Sequence, residues 1–358
     1  MRTADFDYFL PPDLIAQHPT PTRDGSRLLV LHRNSGRIEH AQFGQLLDYL
    51  VPGDVIVLND SRVIPARLRG RNTAGTGEFE LLLLEENARN DWWAMLRPAK
   101  RAGLHSEIRL VDHHGDLTAV RAEVIEINPQ GHRRLKFLNT SDISADLSHW
   151  GEIPLPPYIK RKPGMSSPED SERYQTVYAQ CTGSVAAPTA GLHFTSQLLE
   201  RLRALGVRVA FVTLHVGLGT FAPVKAAELA GHVMHEERFT VSEETVRLVR
   251  SARARGRRIL AVGTTSLRAL ESAVTGAGQL AAVTWGRTRL FIHPPHRFEC
   301  VDALLTNFHL PCSTLLMLVS AFAAPGREEG RARILFAYGE AVQQRYRFYS
   351  YGDAMLII

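Results

Sequence analysis

The chain has 358 residues, 44% of them hydrophobic and 22% charged, which excludes wholesale disorder and suits about two domains of ordinary size. Its formal net charge of +5 favours a polyanionic partner, yet no block of like charge forms a basic tail, so any such partner meets a folded patch. The 3 cysteines, Cys181, Cys300 and Cys312, are odd in number and far apart, which excludes a disulfide framework or zinc knuckle and points to a reduced, cytoplasmic chain.

At the N-terminus, Asp5 and Asp7 fall where a signal peptide needs an apolar run. Phe43–Leu50 reads as a helix, Val51-Pro52-Gly53-Asp54 as a turn and Val55–Leu58 as a strand. From about Arg71 to Leu138 the texture is short strands and turns: Glu78–Leu84, Trp92–Leu96, Glu107–Leu110, Ala119–Ile127 and Arg133–Leu138. Such spacing predicts a small antiparallel barrel or sandwich. After about Tyr158, helix, glycine, buried strand and polar loop repeat. Ser196–Leu205 ends at Gly206 before the strand Val207–Leu214. Ser242 caps a helix to about Arg255, and Gly256 ends it before the strand Arg258–Val262. Gly263–Ser266 then forms a loop opening a helix at Leu267–Val274. The apolar run Leu315–Ala324 is about half a membrane span and predicts a buried helix, hence no membrane partner. The pattern predicts an α/β fold: a layered α/β catalytic domain of residues 1–68 and 154–358 with a parallel sheet, and an antiparallel β-barrel inserted as residues 69–153.

Ligands of open α/β sheets gather at the carboxyl ends of strands. Val55–Leu58 leads into Asn59-Asp60-Ser61-Arg62, Val207–Leu214 into His215-Val216-Gly217-Leu218-Gly219-Thr220-Phe221, and Arg258–Val262 into Gly263-Thr264-Thr265-Ser266-Leu267-Arg268. Together they supply an acid, arginines, an imidazole, hydroxyls and backbone amides. A fourth element, Gly183–Thr195, contains Thr189, Gly191 and His193, and its small residues let backbone approach a ligand before a capped helix.

Plainer readings stand beside these. Gly217-Leu218-Gly219 also reads as a simple turn, His215 and His193 as satisfied core histidines, and Asp60 as a partner of Arg62. Thr264 and Thr265 also read as caps, the Trp92-Trp93 pair as core packing, and the cysteines as inert. The glycine loop lacks the third glycine of a dinucleotide fingerprint, and there is no Walker loop. His232 and His235 with Glu236 have zinc-like spacing but no partner cluster, so no metal is expected.

These blocks, in order, make the chain resemble the S-adenosylmethionine:tRNA ribosyltransferase-isomerases of queuosine biosynthesis. The resemblance runs almost end to end, through Phe6–Tyr8, Leu58–Arg67, Glu172–Tyr178, Pro188–Thr195, Thr213–Gly217, Met234–Glu236, Gly263–Arg268, Thr306–Pro311 and Tyr351–Met355. Two positions depart from the family pattern: Cys312 replaces the lysine usual before Ser-Thr, and Pro295 replaces a turn glycine.

The resemblance implies transfer of the ribosyl part of S-adenosylmethionine to 7-aminomethyl-7-deazaguanine at the tRNA wobble position. The sugar is isomerised to give epoxyqueuosine-tRNA, with release of adenine and methionine. It implies a monomer with no cofactor or metal, and S-adenosylmethionine as co-substrate. The reaction needs a base, because the carbon beside the sulfonium is acidified and the attacking amine must be neutral. A histidine titrating near neutrality suits this, with His215 the first candidate and His193 the second. Asp60 or Glu271 can assist the leaving adenine. Arg62 and Arg268 can hold the methionine carboxylate or a phosphate, and Thr264 and Thr265 the ribose or carboxylate. Thr189, Gly191, Gly217 and Gly219 complete the binding loops. Tyr174 and Phe221 can stack on an extracted base, and Arg67, Arg69 and Arg71 can meet tRNA phosphates. The rivals are an ordinary methyltransferase, which would release S-adenosylhomocysteine, and a non-catalytic RNA-binding module.

Overall fold

The computed structural model describes residues 1–73, 77–161, 168–217, 224 and 226–358. Its strands are β1 (Arg27–Leu31), β2 (Ile38–Gln42), β3 (Val55–Asn59), β4 (Ser61–Val63), β5 (Arg67–Asn72), β6 (Glu78–Ala88), β7 (Asp91–Arg97), β8 (Glu107–Val111), β9 (Leu117–Ile127) and β10 (Arg133–Leu138). After them come β11 (Cys181–Ser184), β12 (Arg208–Leu214), β13 (Glu237–Val241), β14 (Ile259–Val262), β15 (Val283–Thr288), β16 (Ala303–Asn307) and β17 (Ala354–Ile357). The helices are α1 (Ile143–Trp150), α2 (Pro168–Arg173), α3 (Ser196–Ala204), α4 (Glu243–Ala254), α5 (Gly263–Ser272), α6 (Thr314–Ala323) and α7 (Gly330–Gln343).

A 9-stranded sheet runs β15-β13-β12-β3-β14-β16-β17-β1-β2. The four central strands, β12, β3, β14 and β16, are mutually parallel, so their carboxyl ends share one edge. The expected parallel layer is therefore mixed: β13, β15 and β2 are antiparallel to their neighbours, and so are β16 and β17 to each other. Of the strands that break the parallel order, only β17, buried along its whole length, has the texture of a parallel strand; β13 alternates in burial and β2 and β15 are largely open, as antiparallel strands toward a sheet edge are. Successive residues of β3 enter opposite cores: Val55 and Val57 pack with α4, α5, α6 and α7, while Ile56 and Leu58 pack with Phe43 and α3. That alternation buries both faces of the sheet and makes three layers. The apolar run after Leu315 is the buried α6, and no described helix is long and apolar enough to cross a membrane.

Between β4 and β11 the chain builds a closed barrel in the order β10-β7-β6-β5-β8-β9, with its own core including Phe79, Leu81, Trp92, Leu110, Val124 and Phe137. All its pairings are antiparallel, and closure leaves it without a free edge. The outgoing and returning segments bond to each other at the neck: Arg67 N–H donates to Glu152 O at 3.1 Å, and Glu152 N–H donates to Arg67 O at 2.8 Å. Phe43–Tyr49 is a 3-10 helix rather than an α-helix.

Candidate functional site

Three side chains lock the carboxyl edge of the sheet together. Asn59, fully buried at the end of β3, donates to Leu214 O at 2.9 Å and accepts from Leu214 N at 3.1 Å and Ser61 N at 3.1 Å. Ser184 Oγ, at the end of β11, accepts from Val216 N at 2.9 Å and donates to Ala186 O at 2.7 Å. Thr195 Oγ1 caps α3 through Leu198 N at 3.0 Å. The bonds to Ser61, Ala186 and Leu198 are local turns and caps, while those from Asn59 to Leu214 and from Val216 to Ser184 join segments distant in sequence. They hold the His215 loop, the Gly183–Thr195 block and the β3 end in fixed relation.

Asp60 accepts from Thr213 Oγ1 at 2.7 Å, and the Cys181 thiol lies 3.7 Å from its other oxygen. Burial pushes its carboxyl above the usual range, against the opposing effect of those hydrogen bonds. His215 stands two residues beyond Thr213, on the same side by strand alternation. Its Nδ1 is buried and lacks a hydrogen-bond partner among the described residues. Burial, helped by the positive charge of Arg238, lowers its pKa to about 4. The expectation of an imidazole titrating near neutrality is thereby corrected: His215 is neutral throughout the neutral range.

Gly263-Thr264-Thr265-Ser266 is not a loop. It is the first turn of α5, entered directly from β14 through Gly263 at φ +85°, a conformation that favours glycine. Thr189, Gly263, Thr264, Thr265 and Asn307 line a cavity of about 40 Å³ at this edge. Thr265 Oγ1 and Asn307 Oδ1 are buried there without a partner among the described residues. His309, also lining the cavity, is held by Thr306 Oγ1 at 2.8 Å and by the Tyr338 hydroxyl, and burial lowers its pKa to about 3.

Several expected site residues lie elsewhere. His193 is buried with both ring nitrogens engaged, Nδ1 with Ser26 Oγ at 2.7 Å and Nε2 with Asn307 Nδ2 at 3.3 Å, and it stacks on Phe43. Burial lowers its pKa to about 3, so it positions Asn307 instead of facing a ligand. Tyr174 is wholly buried against Tyr351, with no face open to a base. Glu271 lies at the far end of α5, where its carboxylate accepts from the amides of Glu299, Cys300 and Val301 at 2.9–3.2 Å. Arg268 is buried, with Nη1 in an ion pair with Glu237 and Nε donating to Leu290 O at 3.1 Å; only Nη2 is without a partner among the described residues, so the two-pronged grip expected for a carboxylate ligand is already given to Glu237 and Leu290. Arg62 is exposed on β4 and donates to Ala179 O at 3.0 Å. Gly191 sits in the Thr189–His193 turn against the Tyr178 hydroxyl. Gly219 and Phe221 fall outside the described residues.

Beside this edge, between the barrel and the sheet, lies a cleft of about 980 Å³. The barrel contributes Arg67, Trp93, Met95 and Arg97, and the sheet side contributes Gly217, His235, Glu236, Arg287 and Arg289. Arg287 bridges its mouth, donating to Glu85 of the barrel at 2.7 Å and to Glu236 at 2.8 Å. Of the three alternating arginines on β5, only Arg67 lines the cleft. Arg69 is paired with Glu152 at 2.8 Å, and Arg71 lies exposed 3.7 Å from Glu78. Nothing in the sequence marks Arg97, Arg287 or Arg289 for the cleft; only Asn307 carries a signal, as a polar residue ending the apolar strand β16.

The family described as "Queuosine biosynthesis protein" matches residues 3–357. The S-adenosylmethionine:tRNA ribosyltransferase-isomerase of Moorella thermoacetica is 51% identical over 360 residues, covering all of both chains. The protein of the same name from Thermotoga maritima is 50% identical over 358 residues, again covering all of both. A crystal structure of the S-adenosylmethionine tRNA ribosyltransferase from Thermotoga maritima aligns over 99% of this chain and 100% of that one, with 40% identity and a TM-score of 0.54. On matches of this length and identity, the chain belongs to the queuosine biosynthesis protein family.

Proposed function

We propose that this chain transfers and isomerises the ribosyl moiety of S-adenosylmethionine onto 7-aminomethyl-7-deazaguanine at the wobble position of tRNA, giving epoxyqueuosine-tRNA, adenine and methionine. The observation that carries the reading is the adjacency of two spaces. A small cavity with a few unmet polar groups at the sheet's carboxyl edge lies beside a cleft of about 980 Å³ whose walls carry four arginines, Arg67, Arg97, Arg287 and Arg289. A cleft at the upper end of the usual range for small-molecule sites, roughly 300–1,000 Å³, suits a nucleoside together with an extracted base. The names of the relatives join S-adenosylmethionine and tRNA in one reaction.

His215 is the base we favour. Its imidazole is unprotonated at neutral pH because burial holds its pKa near 4. It can accept the proton from the carbon acidified by the sulfonium, and the resulting imidazolium is acidic enough to pass that proton to departing adenine. Asp60, anchored by Thr213, borders the same face and stabilises the developing cation. The cleft arginines take tRNA phosphates, and Trp93 supplies the stacking face that buried Tyr174 lacks. The enzyme works as a cytoplasmic monomer, and no metal is assigned a role.

The test incubates the protein with S-adenosylmethionine and tRNA bearing the aminomethyl base. Free adenine, methionine and a new nucleoside are expected. S-adenosylhomocysteine with a methylated nucleoside would establish a methyltransferase instead, and RNA binding with no turnover would leave a binding module.

A further inference from the structure

The cavity at the start of α5 has an unusual set of unmet polar groups. α5 has no side-chain cap, so the first-turn amides at Gly263, Thr264 and Thr265 present a positive helix end to the space they line. Thr265 Oγ1, on a residue 8% exposed, has no partner among the described residues. Neither has Asn307 Oδ1, on a residue 3% exposed. The amide orientation of Asn307 is set from behind. His193, neutral and bonded to Ser26 through Nδ1, accepts a hydrogen bond from Asn307 Nδ2 at Nε2 and so turns Oδ1 outward as an acceptor. The cavity thus offers donors for an anionic group and an acceptor for a cationic one. Among the described residues no lysine or arginine lines it. A bare phosphate would find donors but would leave the Asn307 acceptor unmatched, whereas a zwitterion fits both.

Size points the same way. A space of about 40 Å³ holds roughly three waters, which suits a head group of a few heavy atoms and excludes a nucleobase. Val216, Leu310 and Leu315 give apolar wall for a short methylene chain. Consecutive or near-consecutive residues run from the cleft to this cavity in three places: Pro157 to Tyr158, Val185 to Ala187, and Gly217 to Val216.

We propose that this cavity binds the methionine head of S-adenosylmethionine, with the carboxylate on the α5 amides and Thr265 Oγ1 and the ammonium on Asn307 Oδ1. The assignment rests on the ribosyl-transfer reading for the identity of the ligand, and on the cavity's own donors and acceptors for its chemistry. The sugar and sulfonium then extend past Val216 toward His215 and the cleft.

The test measures binding of S-adenosylmethionine and of its decarboxylated analogue by calorimetry, with L-methionine as competitor. The intact enzyme should prefer the carboxylate-bearing ligand by about tenfold or more, the effect of one or two charged hydrogen bonds. L-methionine should displace it. Thr265→Val should lose most of that preference while holding the decarboxylated analogue as before, a result a misfolded variant cannot give. Asn307→Leu should weaken both ligands alike. Full carboxylate preference in Thr265→Val, or failure of L-methionine to compete, overturns the assignment. Adenine release is followed in the same samples. Release without carboxylate preference sinks the cavity assignment and spares the reaction; methionine binding without release does the reverse.

Discussion

Gly183 packs closely on His215: a Cβ built on it would stand 3.1 Å from the imidazole Cε1 and 3.3 Å from Nδ1, so the ring would have to give way by a few tenths of an ångström. Its φ of +133° also lies where residues with side chains are strained. Gly183→Ala should therefore cost about 1–3 kcal/mol of stability and shift the ring. Because catalytic geometry is sensitive to such shifts, kcat should fall by roughly ten- to a hundredfold. Thermal unfolding and single-turnover kinetics check this. A variant with unchanged Tm and unchanged kcat would show that the contact has no consequence.

The low pKa of His215 gives a pH dependence with a definite sign. An ordinary histidine titrates near 6.5, whereas this one does so at about 4. A base of that kind is already deprotonated at pH 6, so once the protonation of the substrate amine is allowed for, His215 should add no acid limb to kcat near 6.5 and should add one only as pH approaches about 4. Stability behaves differently. Between about 4 and 6.5 the unfolded chain binds the proton and the folded chain does not, so stability is lost as pH falls across that window, by roughly 1.4 kcal/mol per pH unit. His215→Gln should flatten that part of the slope and abolish turnover. Denaturant titrations at several pH values, beside a pH–rate profile, measure both; an acid limb in kcat centred at 6.5 after that allowance would contradict the burial argument.

Arg268 and Glu237 form an ion pair with side chains 6% and 5% exposed. The Gly217 N–H reaches the other Glu237 oxygen at 3.4 Å, so the pair also ties α5 to the His215 loop. Arg268→Met should cost about 3–5 kcal/mol, because it leaves a carboxylate buried without its counter-charge. Arg268→Met combined with Glu237→Leu should regain much of the loss, since no lone charge remains. Simple additivity in this cycle, measured by chemical denaturation, would mean the two charges do not interact.

The fate of these residues shows what the chain reveals before it folds. Strand and helix positions were legible, since the barrel strands from Glu78 to Leu138 and the capped helices after Thr195 and Ser242 follow from local periodicity and capping. That Asp60, His215 and Thr264 follow apolar strands closely was legible too, since each lies within two residues of the end of β3, β12 or β14. What stayed hidden depends on partners distant in sequence. Arg268 reads as a free guanidinium until β13 brings Glu237 against it, 31 positions away. Tyr174 reads as a stacking ring until Tyr351 covers it. Glu271 looks like an acid until three amides near Cys300 claim it. Local pattern carries no record of such pairings.

The arginines separate two accounts of RNA binding. The alternating set on β5 suggests equal roles for Arg67, Arg69 and Arg71, yet Arg69 is neutralised by Glu152 and Arg71 lies on the open barrel surface near Glu78. Arg67 lines the cleft with a buried Nε that has no partner among the described residues, alongside Arg97, Arg287 and Arg289. Each guanidinium that meets a phosphate contributes roughly 0.7–0.9 to the slope of log K against log salt, depending on strand form. Arg67→Gln with Arg97→Gln should therefore weaken tRNA binding and lower that slope by roughly 1.4–1.8. Arg69→Gln with Arg71→Gln should leave the slope nearly unchanged. Arg97 is the better second site because Arg287 also bridges the cleft mouth to Glu85, and its loss would open the barrel contact as well. Filter binding across a salt series distinguishes the pairs. If the Arg69/Arg71 pair carried the larger slope change, the RNA would lie on the outer barrel surface and the cleft would lose its place in tRNA binding.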